Sequence, residues 1–435
     1  MSLTIIAVLG IAIMLLLIFL GVNIGLSMFI MGFAGYAFIL NTNAALTVLG
    51  QFSTSSAMNY TMTVIPLFVL MGNFAFHSGI SDDLFTTSRT LFGRTRGGLA
   101  YAGVLACALF GAICGSLAAT TATMSRVARP VMKKYNYKDE VVGGTLSCSG
   151  TLGTLIPPST PFILYGIMTE TSIGSLFAAG VVPGILMALC FCGVIFIWCK
   201  KDPNACPAGE AYSVLEKLKA LKGYLGMFIL FALVLGGMFT GTTSVTEAAA
   251  LGAALSFLFL LIRRKCTRAA LRACLFDTLS TTGMVMLTIV GAGMFGTFLT
   301  VTGMPVNLAK WIQSLDVAPI MIILIILVIY GIMGCVIDMI AFMLLSLPIF
   351  IPVIKAMGFD FIWFGVIMIM IMNMGAVTPP VGLSCYVASG IMGIPLGKVF
   401  RGAVPFLLAF LVAFILIIAF PQLSLWLPSL LVKGG

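Results

Sequence analysis

"GTLGTLIPPSTPFILYG", residues Gly150 to Gly166, lies in a chain of 435 residues of which 61% are hydrophobic and only 8% charged. Apolar stretches of spanning length recur from Leu3 to Leu427, so the chain reads as a polytopic helical membrane protein. The short alternating segments of a transmembrane barrel do not occur. Pro157 and Pro158 interrupt this apolar context. Proline has no N–H to donate and clashes with the preceding helical turn, so the pair breaks any helix that carries it. Open backbone at membrane depth is tolerated only where it is buried in protein or lines a cavity. The stretch is therefore either a kink or a place where freed carbonyls serve a ligand.

The rest of the chain decides between these. Sliding the sequence by 222 positions puts "PVMKKYNY" (Pro130–Tyr137) on "PVIKAMGF" (Pro352–Phe359) and Gly153 on Gly375. The same offset puts Pro157–Pro158 on Pro379–Pro380 and "GVVPGILMAL" from Gly180 on "GAVPFLLAFL" from Gly402. Upstream, at an offset of 224, "GNFAFHSG" from Gly72 meets "GTFLTVTG" from Gly296. One register held this long marks an internal duplication. Two proline pairs at equivalent positions, each preceded by glycine, favour function over a kink.

Charge orients the halves. Arg89, Arg94, Arg96, Arg126, Arg129, Lys133, Lys134 and Lys138 flank the segment around Pro130, whereas its counterpart around Pro352 has only Lys310 and Lys355. Further on the bias reverses, and Leu176 and Ala179 become Lys398 and Arg401. Equivalent loops therefore lie on opposite sides of the membrane, an inverted-topology repeat typical of secondary transporters. The net charge of +10 reflects these cytoplasmic loops; no basic surface with interleaved aromatics suggests nucleic acid.

The expected fold is all-α. Residues 1–200 form the first repeat, with scaffold spans within 3–78 (3–21, 24–40, 61–78), a hairpin at 97–133, a broken helix at 139–166 and a span at 179–199. The segment 44–59 is short and polar, hence interfacial. Residues 201–222 are a cytoplasmic connecting loop, as are 263–272. Residues 223–435 form the second repeat, with scaffold spans within 223–302 (223–240, 244–262, 275–302), a hairpin at 318–356, a broken helix at 361–390 and a last span at 402–427. The run Ile5–Leu20 lacks a basic flank and reads as a retained span rather than a signal peptide. Span counting puts both termini outside.

The two hairpins are re-entrant. "GAICGSLAATTATMS" (Gly111–Ser125) and "GIMGCVIDMIA" (Gly331–Ala341) interrupt runs too long for one span, and each run must return to its starting side. Hairpin tips and half-helix ends together make cation and anion sites near the midplane. Ser116 aligns with Asp338, an acid among apolar neighbours that is costly unless paired or bound to a cation. Glu247 near a helix start reads as a cap. The Met-rich run Ile367–Gly375 reads as packing, with Asn373 polar at depth. The eleven cysteines include no CxxC pair and read as small core residues; His77 is the only histidine, which disfavours a zinc or haem site. No base-plus-nucleophile constellation appears, so the chain is not expected to be an enzyme. No P-loop is present.

At these residues the chain resembles the large membrane subunit of tripartite ATP-independent periplasmic (TRAP) transporters, in the ion-transporter superfamily. "GAICGSLAATTATMS", "GTLIPPSTPFILYG", "TSVTEAAALGA" and "NMGAVTPPVGLSCYVASGI" carry the resemblance, which covers essentially the whole chain. It implies a sodium-driven importer in a bacterial inner membrane, with a fixed scaffold and a mobile elevator domain holding the hairpins and broken helices. It implies two or more Na+ as coupling ions, a small organic acid as substrate, and two partners outside this chain: a small four-helix membrane subunit and a periplasmic substrate-binding protein. One sodium would sit between Cys114, Gly115 and Ser116 and the break at Gly153, Ile156 and Pro158. The second would sit between Ile337 and Asp338 and the break at Gly375, Thr378 and Pro380. Candidate substrate ligands are Ser116, Thr154, Ser159, Asn373 and Ser384. Cys114 and Leu117 stand where the family often has more serines, which shifts weight to carbonyls at the first site. A standalone symporter of the same superfamily is the alternative, and a channel fits an inverted repeat poorly.

Overall fold

A computed structural model describes residues 2–315 and 317–431, and those residues contain helices and no strand. The first half runs α1 (Leu3–Phe19), α2 (Ile24–Ile39), α3 (Thr42–Met58), α4 (Val64–Ser78), α5 (Ile80–Phe92), α6 (Gly98–Cys114), α7 (Leu117–Lys134), α8 (Asp139–Gly150), α9 (Leu152–Leu155), α10 (Thr160–Thr169) and α11 (Ile173–Lys201). A short α12 (Val214–Ala220) follows. The second half runs α13 (Leu225–Phe239), α14 (Val245–Ile262), α15 (Arg268–Thr302), α16 (Met304–Gln313), α17 (Pro319–Gly334), α18 (Met339–Ala356), α19 (Phe361–Gly375), α20 (Leu383–Met392), α21 (Leu396–Ala419) and α22 (Gln422–Leu431). The two hairpins are α6–α7 and α17–α18, and the two broken helices are α8–α10 and α19–α20.

Several boundaries differ from the sequence reading. The span placed at 179–199 starts at Ile173, because Ser172 caps it through Ser175 N–H at 3.3 Å. The basic segment 263–272 is not all loop, since Thr267 caps α15 and Arg268–Arg272 form its first turn. The connecting loop 200–222 contains α12, started by a reciprocal Ser213–Glu216 capping box. The last span, placed at 402–427, is two helices, because Pro421 separates α21 from α22. The broken helices extend to Thr169 and Met392 rather than 166 and 390. Among the described residues, seven helical stretches are long and apolar enough to cross a membrane, one of them Met339–Ala356 in the second hairpin. α1 and α2, with 17 and 16 residues, rise only about 26 and 24 Å, short of a hydrocarbon core of about 30 Å.

α5 and α16 are absent from the sequence reading and are themselves repeat mates. Each follows a left-handed glycine, Gly79 at φ 80° and Gly303 at φ 69°, which ends the preceding helix and turns the chain. They connect α4 to the first hairpin and α15 to the second. α5 also carries the connecting segment: Thr87 Oγ1 donates to Ala220 O at 3.0 Å and Ser88 Oγ lies 2.9 Å from Tyr224 Oη.

The halves pair reciprocally. α2 packs on α15 while α14 packs on α4, and α8 packs on α21 while α19 packs on α11. A pseudo-two-fold axis gives this exchange. The broken helix α8–α10 shows the inversion directly. At its start Asp139 bridges Arg129 (3.1 Å) and Lys398 at the head of α21 (3.0 Å). Towards its other end Tyr165 Oη donates to the carbonyl of Phe361, the first residue of α19, at 2.7 Å. α19 therefore begins at the end of the assembly opposite to its mate α8. Large apolar side chains such as Phe19, Leu189, Phe276 and Leu408 are more than 60% exposed, as lipid contact allows.

α8 and α21 meet at glycines. A Cβ on Gly402 would stand 2.7 Å from the carbonyl carbon of Glu140 and 2.9 Å from Gly144 N. Gly402→Leu should therefore cost about 1–3 kcal/mol by overpacking. The check is a lower apparent melting temperature in detergent than for Gly397→Leu, where a Cβ meets nothing within 4 Å.

Candidate functional site

Each hairpin tip is tied by backbone to the break of its own half. In the first, Thr160 N–H donates to Gly115 O at 3.2 Å; in the second, Val381 N–H donates to Cys335 O at 3.2 Å. Glycines allow the approach. A Cβ on Gly153 would lie 3.1 Å from Gly111 Cα, and one on Gly375 would lie 2.7 Å from the Gly334 carbonyl carbon. Gly115, at φ 64°, turns the first tip, and a Cβ there would lie 2.9 Å from Pro158 O. The predicted pairs of tip and break are thus brought together in both halves.

The prolines leave specific carbonyls unbonded. In a continuous helix, Gly153 O and Thr154 O would accept from residues 157 and 158, which lack N–H. Thr154 O is served instead by Ser159 Oγ at 2.5 Å. Gly153 O accepts no hydrogen bond among the described residues. Beside it, Thr120 Oγ1 is buried without a partner and would lie 2.5 Å from a Cβ on Gly153. Sequence reasoning missed Thr120. Its signal was spacing, since it follows Ser116 by four residues and so shares its face of α7. The second break is more complete: Thr378 N–H serves Gly375 O and Ser384 N–H serves Ala376 O, both at 2.9 Å. Thr378 Oγ1 donates to Met374 O at 2.7 Å.

Ser116 and Asp338 are both N-caps of their hairpins' second arms. Ser116 Oγ accepts from Ala119 N–H at 3.4 Å. Asp338 Oδ2 accepts from Ile340 and Ala341 N–H at 3.1 and 3.2 Å, which leaves Oδ1 without a bond among the described residues. Glu247 makes the capping box expected of a helix start, with its carboxylate 2.7 Å from Ser244 N.

Between the tips lies a cavity of about 180 Å³. Cys114, Gly115, Ser116 and Thr154 line it from the first half, and Ile337, Asp338 and Ala376 from the second. Among the described residues, Asp338 is its only charged lining residue. Gly153, Ile156, Pro158, Gly375, Thr378 and Pro380 are not on its wall. Of the substrate candidates, Ser116 and Thr154 reach it. Asn373 is buried behind Thr154, accepting from Thr154 Oγ1 at 2.8 Å, and Ser159 is buried in the same network. Ser384 lies apart from these, donating to Ser147 O at 2.6 Å and 2.9 Å from Thr121 Oγ1. Polar groups the sequence reading did not name complete the wall: Thr160, and Asn73 and Thr281 from α4 and α15. Asn73 Nδ2 donates to Thr278 Oγ1 at 2.9 Å.

Paired hairpins and broken helices around a shared cavity define a multi-pass membrane transporter. The family model of the tripartite ATP-independent periplasmic transporter, DctM component, matches residues 11–423, and the chain belongs to that family. It is 37% identical to the C4-dicarboxylate TRAP transporter large permease protein DctM of Pseudomonas aeruginosa, over 87% of this chain and 88% of that one. It is 31% identical to the sialic acid TRAP transporter large permease protein SiaM of Vibrio cholerae, over 96% and 97%. Among solved structures, the YdaH transporter of Alcanivorax borkumensis, described as having an unusual topology, superposes with a TM-score of 0.65 at 15% identity, covering 88% of this chain and 87% of that one. That likeness is one of fold.

Thr154 and Asn373 join the halves behind the cavity, and both are buried. Thr154→Val should leave the Asn373 amide short of a partner and cost about 1–3 kcal/mol. Thr154→Ser keeps the hydroxyl and should recover most of that loss, read as melting temperature in detergent.

Proposed function

We propose that this protein is a sodium-coupled importer of a small organic acid, working in a bacterial inner membrane by an elevator motion. The substrate is handed over by a periplasmic binding protein, and a small membrane subunit completes the complex. Relatives that carry C4-dicarboxylate and sialic acid in their names support an organic acid. One observation carries the reading: the cavity between the tips has a single charged lining residue, and that residue is acidic. An organic anion placed beside an unneutralised Asp338 would be repelled, so a cation is needed there first. Oxygen ligands suited to a hard monovalent cation are at hand: Gly153 O, Thr120 Oγ1 and Ser116 Oγ at the first tip, and Asp338 with the second break at the other.

The test is uptake into proteoliposomes holding the complete complex, with and without a sodium gradient. Uptake should need sodium and the binding protein and be indifferent to ATP. Full uptake on a proton gradient alone would refute sodium coupling. Asp338→Asn should raise the sodium concentration for half-maximal uptake by about tenfold or more, because a formal charge is lost. Thr120→Val, which removes one oxygen among several, should raise it by a smaller factor. Equal sodium dependence in wild type and Asp338→Asn would remove Asp338 from the site.

Tip and break share backbone hydrogen bonds, so hairpins and broken helices would travel as one body past α4, α14 and α15. A Cβ on Gly296 of α15 would stand 3.3 Å from Pro348 Cβ on α18, close to the separation a disulfide spans. The oxidised Gly296→Cys, Pro348→Cys double variant should stop uptake and keep sodium-induced thermal stabilisation. Unimpaired uptake in the cross-linked protein would favour gating around a fixed site.

A further inference from the structure

The cavity between the tips does not end there. A second cavity of about 200 Å³ shares Gly72, Asn73, Cys114 and Ala119 with it. A third, of about 430 Å³, shares Phe76, Thr123 and Arg126 with the second. Together they form a route that runs along one seam. Its walls are helical stripes: Val69, Gly72, Asn73, Phe76 and His77 on α4, and Ala119, Ala122, Thr123, Arg126 and Val127 on α7, both at the three-and-four spacing of a single helix face. The route follows α7 as far as Val127, in the direction of the helix's basic end at Arg129, Lys133 and Lys134, and is therefore directed to the cytoplasmic side.

Arg126 lies on the wall of both the second and third cavities. Ten residues beyond Ser116 on one helix, it sits about 15 Å from the tip. Its neighbour one turn on, Arg129, is engaged by Asp139 at 3.1 Å. Arg126 makes no ion pair or side-chain hydrogen bond among the described residues, although Asp277 shares the second cavity with it. His77, Asp82 and Lys265 line the mouth beyond. The repeat counterpart of Arg126 is Pro348, so the second hairpin offers no cation at the equivalent depth.

We infer that Arg126 is the anion-selecting residue of the cytoplasmic release route. Arg126 is solvent-exposed on that wall, and a cation there concentrates anions and depletes cations. It gives a carboxylate leaving the acidic tip cavity its first favourable charge. The inference rests on the transport reading for what travels, and is independent of sodium coupling.

The test uses charged thiol reagents, so neither the substrate nor a sodium gradient is needed. Ala119, which lines both of the first two cavities, is replaced by cysteine. Inside-out vesicles are treated with the anionic sulfonatoethyl or the cationic trimethylammonioethyl methanethiosulfonate, and modification of the new cysteine is resolved from the native ones by peptide mass spectrometry. Relative to the same reagents on a free thiol, the anionic reagent should be favoured, and the preference should shrink as salt is raised. Arg126→Gln should lower the anion-to-cation rate ratio by about tenfold, and Arg126→Lys should restore most of it. An unchanged ratio in folded Arg126→Gln protein would overturn the proposal. If that variant does not fold, a wild-type ratio no higher than that of the free thiol would overturn it equally, as would modification only from the outer face. Sodium-dependent uptake, measured separately, tells failure of this inference from failure of the sodium-coupled reading.

Discussion

Two backbone hydrogen bonds organise this molecule: Thr160 N–H to Gly115 O, and Val381 N–H to Cys335 O. Each answers the cost of interrupted helix at membrane depth, where no water replaces a lost partner. The prolines open the backbone and the hairpin tip closes part of it again. For the tip to come that near, side chains must be absent at the crossing, and Gly111 faces Gly153 as Gly334 faces Gly375. Shifting the hairpin off its broken helix would break that hydrogen bond, and the unsatisfied remainder, chiefly Gly153 O and Thr120 Oγ1, is held at a defined place. The reciprocal packing of α8 on α21 and α19 on α11 places these two assemblies at opposite hands of one body.

The halves have not stayed equal. At the first break one carbonyl is left open and the tip cap is a hydroxyl; at the second the two carbonyls that the prolines orphan are bonded again and the cap is a carboxylate. Oxygens are thus offered through different chemistry, dipoles on one side and a formal charge on the other. The scaffold diverges too. α3 and α4 are separate helices joined by a short 3-10 turn at Tyr60–Thr63, whereas their counterpart α15 runs 35 residues unbroken.

Much of this was legible in the sequence because it rests on residues with few roles. Proline pairs, glycine tips and basic clusters mean nearly the same thing wherever they occur, so the repeat, the breaks and the hairpins could be read from Pro157, Pro379, Gly115 and Arg129. α5 and α16 were not legible, since they are short amphipathic helices between longer apolar runs and their start signal is one glycine each. The stop at Pro421 was hidden because apolar residues continue on both sides of it. Polar residues at depth were the hardest. Asn373 and Ser384 carry the same composition signal as Ser116, yet packing turns them to buried partners, Thr154 for one and Ser147 with Thr121 for the other. Thr120 went unnoticed for the opposite reason: an ordinary helix residue until the glycine of another element leaves its hydroxyl without a partner.

The charge pattern of the cavity also constrains the order of events under a sodium-coupled reading. Two like charges about 6 Å apart repel by roughly 3 kcal/mol at an effective dielectric near 20, so an organic anion entering before a cation would bind over a hundredfold more weakly than one entering after it. Asp338 holds Oδ2 towards two N–H groups of its own helix start, so that dipole lowers the repulsion without removing it. On that reading, cation binding next to Asp338 would do two things at once: it would neutralise the tip, and it would draw the second hairpin and its break into one coordination shell. Release reverses the sequence. Once the cation left, the substrate would again face an uncompensated carboxylate at the tip, while the proposed route along α7 would lead away from it. Coupling in this scheme needs no long-range signal, because the cation and the anion are read by the same acidic cap.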